Sequence, residues 1–200
     1  MTSKDEVLSY WIGQAADDAA IAGSKTKLWF MSSPAADDKL RELFGELLKV
    51  AEQGKLESWA TDPRGSLALV ILLDQFSRNL YRGTAKAFAN DAAALDLSRK
   101  LVENGQHRDL KTIERVFLYL PFEHAESAEL QQQSVELFQA LIKDSEPKWH
   151  PQLEAFTDHA IEHQNIIIRF GRFPHRNAVL GRTNTVEEKL YLESAKTFGQ

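Results

Sequence analysis

Apolar residues recur along this chain at the three-and-four spacing of a helix face, and nowhere at the two-residue alternation of a half-buried strand. The clearest instance follows Pro34, where Leu40, Leu43, Phe44, Leu47, Leu48 and Ala51 share one face and Gly54 stands where a C-terminal cap belongs. Before it, Ser3 with Glu6 reads as a capping box opening a first helix that carries Val7, Leu8, Tyr10 and Trp11, with Gly13 or Gly23 as its terminator. Residues 25–33 read as an ordered connection whose Trp29 and Phe30 plug the core. Asp62-Pro63 supplies an N-cap followed by proline at the first helical position. The run after it, Leu67 to Leu73, is apolar on every side, so this helix is expected to be central and buried all round.

Gly83-Thr84 restarts a helix with Phe88, Ala92, Leu95 and Val102, closed near Gly105. The next, from about Asp109, presents Ile113, Val116, Phe117 and Leu120, and Pro121 is expected to stop or kink it because proline lacks the backbone donor. Two further helices use Leu130, Val135, Leu137, Phe138 and Leu141, then Leu153, Phe156, Ala160, Ile167 and Ile168; a second capping box, Thr185 with Glu188, opens a last one through Leu190 and Leu192. The expected fold is all-α, a single domain over residues 1–200, with seven or eight helices as an irregular stack of antiparallel helical hairpins.

Composition narrows the function classes. No cysteine is present, which excludes disulfides, thiol catalysis and thiolate metal sites. The opening residues, Met1 to Glu6, lack a basic region followed by an apolar run, and the longest apolar block is far too short to span a bilayer, so a cytoplasmic location with no membrane partner is expected. The net charge of -5 argues against binding long nucleic acids. Positive charge is local instead: residues 169–182 carry Arg169, Arg172, Arg176, Arg182 and His175 with no carboxylate, interleaved with Phe170, Phe173, Val179 and Leu180. Aromatics that favour burial beside guanidinium groups that favour anions mark a structured site.

Asp74 and Arg78 stand four apart, acid first, as an intrahelical pair. The carboxylates of Asp74, Glu123 and Glu126 are expected to face Arg172, Arg176 and Arg182 at one end of the bundle. Three carboxylates against four arginines leave one positive charge for a ligand. Glu123, His124, His163 and His175 are acceptable zinc ligands by type, but no diagnostic spacing such as His-Glu-x-x-His occurs and arginines would repel a cation. Neither a metal nor a cofactor is expected, and there is no nucleophile signature or glycine-rich phosphate loop.

Three blocks, Leu73-Asp-Gln-Phe-Ser-Arg-Asn79, Leu120-Pro-Phe-Glu-His-Ala-Glu126 and Arg169-Phe-Gly-Arg-Phe-Pro-His-Arg-Asn177, resemble the signature of the bacterial family catalogued as domain of unknown function 924. The likeness extends to His163 six residues before Arg169, Leu180-Gly-Arg182, and Thr185 with Glu187-Glu188, and covers almost the whole chain. The resemblance implies an all-helical, tetratricopeptide-like fold and no particular activity. Ala125 and Ser77 depart from the serine and proline usual there.

Three functions are compatible with this pattern. In the first, an Arg/His-rich pocket binds a small anion, phosphate or carboxylate, through Arg172, His175, Arg176, Asn177, Arg182, Arg78, Asn79, Asp74, Gln75, Glu123, His124, Glu126 and His163. In the second, stacked hairpins form a tetratricopeptide-like groove for a protein partner. In the third, the pocket is catalytic, with His124 or His175 as a base beside Glu123 or Asp74.

Overall fold

The computed structural model describes residues 3–31 and 33–194. Among these the chain is all-α: α1 (Lys4–Trp11), α2 (Ala19–Phe30), α3 (Pro34–Glu52), α4 (Pro63–Val70), α5 (Ser77–Leu80), α6 (Asp91–Glu103), α7 (Thr112–Glu123), α8 (Ala128–Asp144), α9 (His150–Phe170) and α10 (Val186–Leu192). Helices α4 and α5 form one rod, joined by a π-helical stretch over Ile71–Phe76. The helix beyond the expected eight is α2, which occupies most of what reads in the sequence as a connection.

The α4–α5 rod is the axis of the molecule. Every residue from Gly65 to Arg78 is buried, as an all-apolar run followed by internally paired polar groups requires. Asp62 caps it by accepting from the Gly65 backbone N–H, and Gly65 has to be glycine: a Cβ there would fall 1.9 Å from the Trp59 carbonyl oxygen. Helices α1, α3, α6 and α7 surround the rod, and α7, α8 and α9 follow as successive packed neighbours. Trp11 meets Phe76 and Phe117 edge to face, and the Trp29 indole donates to the Trp11 carbonyl oxygen (2.9 Å), which pins the C-terminal end of α2 to the core.

Two local expectations are adjusted by the structure. Pro121 does not stop α7, which continues through it to Glu123; the bond it forfeits lies in the last turn, where the helix ends anyway. The segment after Gly83 is not one helix: a short 3-10 turn, Ala85–Phe88, precedes α6, and the Asn90 side chain donates to Ser77 Oγ (3.0 Å). This break turns Phe88 and Asp91 toward the site described below.

Replacing Ile71, which has no solvent exposure, with alanine is expected to cost about 2–5 kcal/mol by lost transfer energy and cavity formation. Ile168, placed on the apolar face of α9 by its spacing, is 67 % exposed, so Ile168→Ala is expected to shift stability by no more than about 0.5 kcal/mol. Urea denaturation of the two variants checks the contrast; equal losses would contradict the central position of the rod.

Candidate functional site

In the π-helical stretch each backbone hydrogen bond closes one residue further along the chain, which widens the rod where Asp74 and Gln75 sit, a distortion that recurs at functional sites. Asp74 has no solvent exposure and three side-chain partners: Gln75 Nε2 (2.5 Å), Arg78 Nη1 (2.9 Å) and His124 Nδ1 (2.6 Å). Burial alone would raise this carboxyl, but Arg78 and His124 overcome it and hold Asp74 well below the usual carboxylate range. Asp74 is therefore a fixed anion. Burial and Arg78 keep His124 below its ordinary value against the pull of Asp74, so its Nδ1 holds the proton given to Asp74 and Nε2 remains as the basic nitrogen.

The ends of α7 and α9 bring a second pair together. Glu123 is buried, with Oε1 3.1 Å from His163 Nδ1 and Oε2 without a hydrogen-bond partner among the described residues. Burial, with Asp74 nearby, pushes its carboxyl up to about 8, so Glu123 is protonated at neutral pH. Burial also holds His163 and His175 down at about 3, leaving both rings neutral.

Beside these groups lie two buried guanidinium groups that share a carboxylate. Arg78 binds Asp91 through both Nη atoms (2.8 and 3.0 Å), and Arg176 reaches the same carboxylate through Nη1 at 3.4 Å. The Arg176 guanidinium also packs over the rings of Phe88 and Phe173, with its carbon 4.6 and 4.3 Å from their centroids. Burial, then the like charge of Arg78, lowers Arg176 to about 10, still charged at neutral pH.

Together these side chains wall a cavity of about 300 Å³. Gln75, Arg78, Asn79, Glu123, His124, His163, His175 and Arg176, all nominated from the sequence, line it. Trp29, Phe30 and Met31 from the end of α2, with Phe88, Leu120 and Phe156, supply its apolar side chains, and Thr26, Arg82 and His159 also line it. Among the described residues, serine, cysteine and lysine are absent from the lining, and Thr26 is its one hydroxyl side chain.

The other nominated residues lie elsewhere. Arg172 pairs with Glu188 through Nε and Nη2 (2.7 and 2.9 Å), and Arg182 pairs with Glu126 (2.6 and 2.9 Å), whose carboxylate also accepts from the Phe173 backbone N–H (2.8 Å). Asn177 is fully buried and donates to Asn184 Oδ1 (2.6 Å). Arg169 pairs with Glu187 at the surface. The arginine stretch thus divides: Arg169, Arg172 and Arg182 clasp α10 and the α7–α8 link, while His175 and Arg176 face the cavity. Of the three expected acid–arginine pairings, only Glu126 with Arg182 matches the anticipated partners; Asp91, Glu187 and Glu188 supply the carboxylates that the count of three left out. Among the described residues no group of three or more histidine, aspartate or glutamate side chains is placed to hold a metal ion.

An all-helical protein with one polar, partly aromatic cavity at the end of its central rod is the class these features define. The sequence profile of the family described as "Bacterial protein of unknown function (DUF924)" matches residues 7–196, and the chain belongs to that family. A solved structure from Agrobacterium tumefaciens, of the protein of unknown function ATU0120, is similar at 37% identity with a TM-score of 0.72, over 90% of this chain and 100% of that one. No curated protein matches. No helix among the described residues is long and apolar enough to cross a membrane.

Proposed function

We propose that the cavity binds a small organic anion, a carboxylate or a phosphate, on Arg176 with Arg78 beside it. The observation that carries this reading is the state of Arg176. It is 6 % exposed, the one hydrogen bond its side chain makes among the described residues is a 3.4 Å contact to a carboxylate that Arg78 already grips with both Nη atoms, and its Nε has no hydrogen-bond partner there. A buried guanidinium so poorly satisfied is costly, and an anion in the cavity supplies the acceptor it lacks. The small, aromatic-walled cavity supports a small ligand over the alternative of a tetratricopeptide-like groove for an extended peptide.

Thermal melts against phosphate, sulfate, sugar phosphates and organic carboxylates at matched ionic strength test the proposal. A ligand at a hundredfold excess over Kd is expected to add about 2.7 kcal/mol of apparent stability. Arg176→Gln is expected to keep the fold and lose that gain. An absence of any anion-dependent shift contradicts it.

One observation favours a second reading, an acid–base enzyme: His124 is held on the buried Asp74 at 2.6 Å while its ring lines the cavity beside the protonated Glu123. Two groups whose environments set them as base and acid are the arrangement proton-transfer catalysis uses. Following the same mixtures by NMR separates the readings: a ligand that binds unchanged supports binding alone, and a ligand converted by the wild type and not by His124→Gln supports catalysis.

A further inference from the structure

We infer that the ligand is a monocarboxylate with a flat apolar body, rather than a phosphate ester; this rests on the anion-binding reading above. Three features of the cavity point to it. The first is the supply of donors. Arg78 spends Nη1 and Nη2 on Asp91, with Nη1 also on Asp74, and Arg82 is turned to Asp37 at 3.2 Å. Arg176 has the least engaged fork of the three, since its only side-chain hydrogen bond among the described residues is a long one from Nη1, its buried Nε has no partner there, and the rings of Phe88 and Phe173 take up the faces of its plane. One planar fork matches the two coplanar oxygens of a carboxylate; the third oxygen of a phosphate ester would find no second fork.

The second feature is Glu123. Its Oε2 is buried in the cavity wall without a hydrogen-bond partner among the described residues, and its one ion-pair contact is with a histidine, not with an arginine or lysine. A carboxyl in such surroundings is in its acid form, consistent with the upward pull of burial. An acid O–H complements a carboxylate oxygen as a donor in addition to Arg176.

The third feature is charge. Arg78 and Arg176 are balanced by Asp74 and Asp91, Arg82 by Asp37, and burial keeps His124, His163 and His175 neutral, so these groups leave no surplus of charge. One negative charge on a ligand is met by the unused edge of Arg176. A second would be opposed by Asp74 and Asp91 at low dielectric with nothing left to offset it. The apolar wall of Trp29, Phe30, Met31, Phe88, Leu120 and Phe156 fits a ring, and about 300 Å³ lies at the small end of ligand cavities, enough for one ring and its carboxylate.

Isothermal titration calorimetry of the full chain with 3-phenylpropionate, phenyl phosphate, acetate and inorganic phosphate tests the inference at matched ionic strength. We expect 3-phenylpropionate to bind at least about tenfold more tightly than phenyl phosphate, and acetate to be weaker for want of the ring. Phenyl phosphate binding as tightly or more tightly overturns the ligand class while leaving the anion site standing. No measurable binding of any of the four, by the wild type, overturns the inference and the anion reading together. Glu123→Gln, which keeps a donor and a neutral side chain, is expected to bind 3-phenylpropionate within about threefold of wild type. A tenfold change in either direction, in a variant whose melt shows it folded, overturns the acid–carboxylate pairing.

Discussion

Replacing Asp74 with alanine is expected to destabilise the protein by about 3–5 kcal/mol, the cost typical of removing one partner from a buried ion pair. Asp74 has no solvent exposure and is the common acceptor for Arg78, His124 and Gln75. Without it Arg78 keeps Asp91, but the π-helical turn loses the group that ties α5 to the end of α7. Asp74→Asn retains the shape and one acceptor oxygen and is expected to cost less. The loss also has a pH signature. A carboxyl held below its ordinary value contributes stability that is present above the unfolded value of about 3.9 and disappears as pH falls through the folded value. The gap between wild type and Asp74→Ala, measured by urea denaturation, should therefore be full at neutral pH and shrink in strong acid. A loss below about 1 kcal/mol at pH 7 would mean that this cluster does not hold the site together.

Glu123→Gln is expected to act with the opposite sign. Glu123 is raised to about 8 by burial, so in the folded protein it keeps its proton where the unfolded chain, at about 4.3, has released it. Such a group contributes stability fully below the unfolded value and loses it as pH rises through the folded one, at about 1.4 kcal/mol per pH unit between them. Glutamine carries no such proton. The stability of Glu123→Gln relative to wild type should therefore rise by about 3–4 kcal/mol between pH 5 and pH 8. Parallel stability profiles across that range would show Glu123 ionised in the folded state and would remove the acid from the cavity wall.

The elements most readable in the sequence are those with one strong local cause. The run Leu67 to Leu73 allows no exposed face, and the boxes of Ser3 with Glu6 and Thr185 with Glu188 both form. Helix α2 was hidden because its apolar residues, Ala19 to Ala22 and Leu28 to Phe30, are not gathered into one stripe, and because Gly23 looks like a terminator. In the fold that glycine lies inside α2, where a Cβ would come within 3.1 Å of the Gln152 side chain.

Within the site, the same contrast between local and distant causes holds. Asp74 and Arg78 pair at the four-residue spacing that announces them. Asp91 reaches Arg78 across 13 residues and Arg176 across 85, separations that no periodicity encodes. Missing it turned a shortage of hydrogen-bond acceptors around Arg176 into an apparent surplus of charge. What distinguishes Arg176 is an unused edge, which only the assembled neighbours reveal. Phe88 and the Trp29–Met31 wall were missed likewise, because aromatic residues read from sequence as core filling until the fold places them on a cavity.

The central claim is that Arg176 presents an unused guanidinium edge to a small anion inside this cavity. A crystal structure of the protein grown with 3-phenylpropionate tests it most directly. The result expected is a carboxylate about 2.7–2.9 Å from two nitrogens of Arg176, with the ring against Trp29 and Phe156. A cavity without the ligand, in crystals grown above the Kd measured in solution, or a ligand bound away from Arg176, would contradict it.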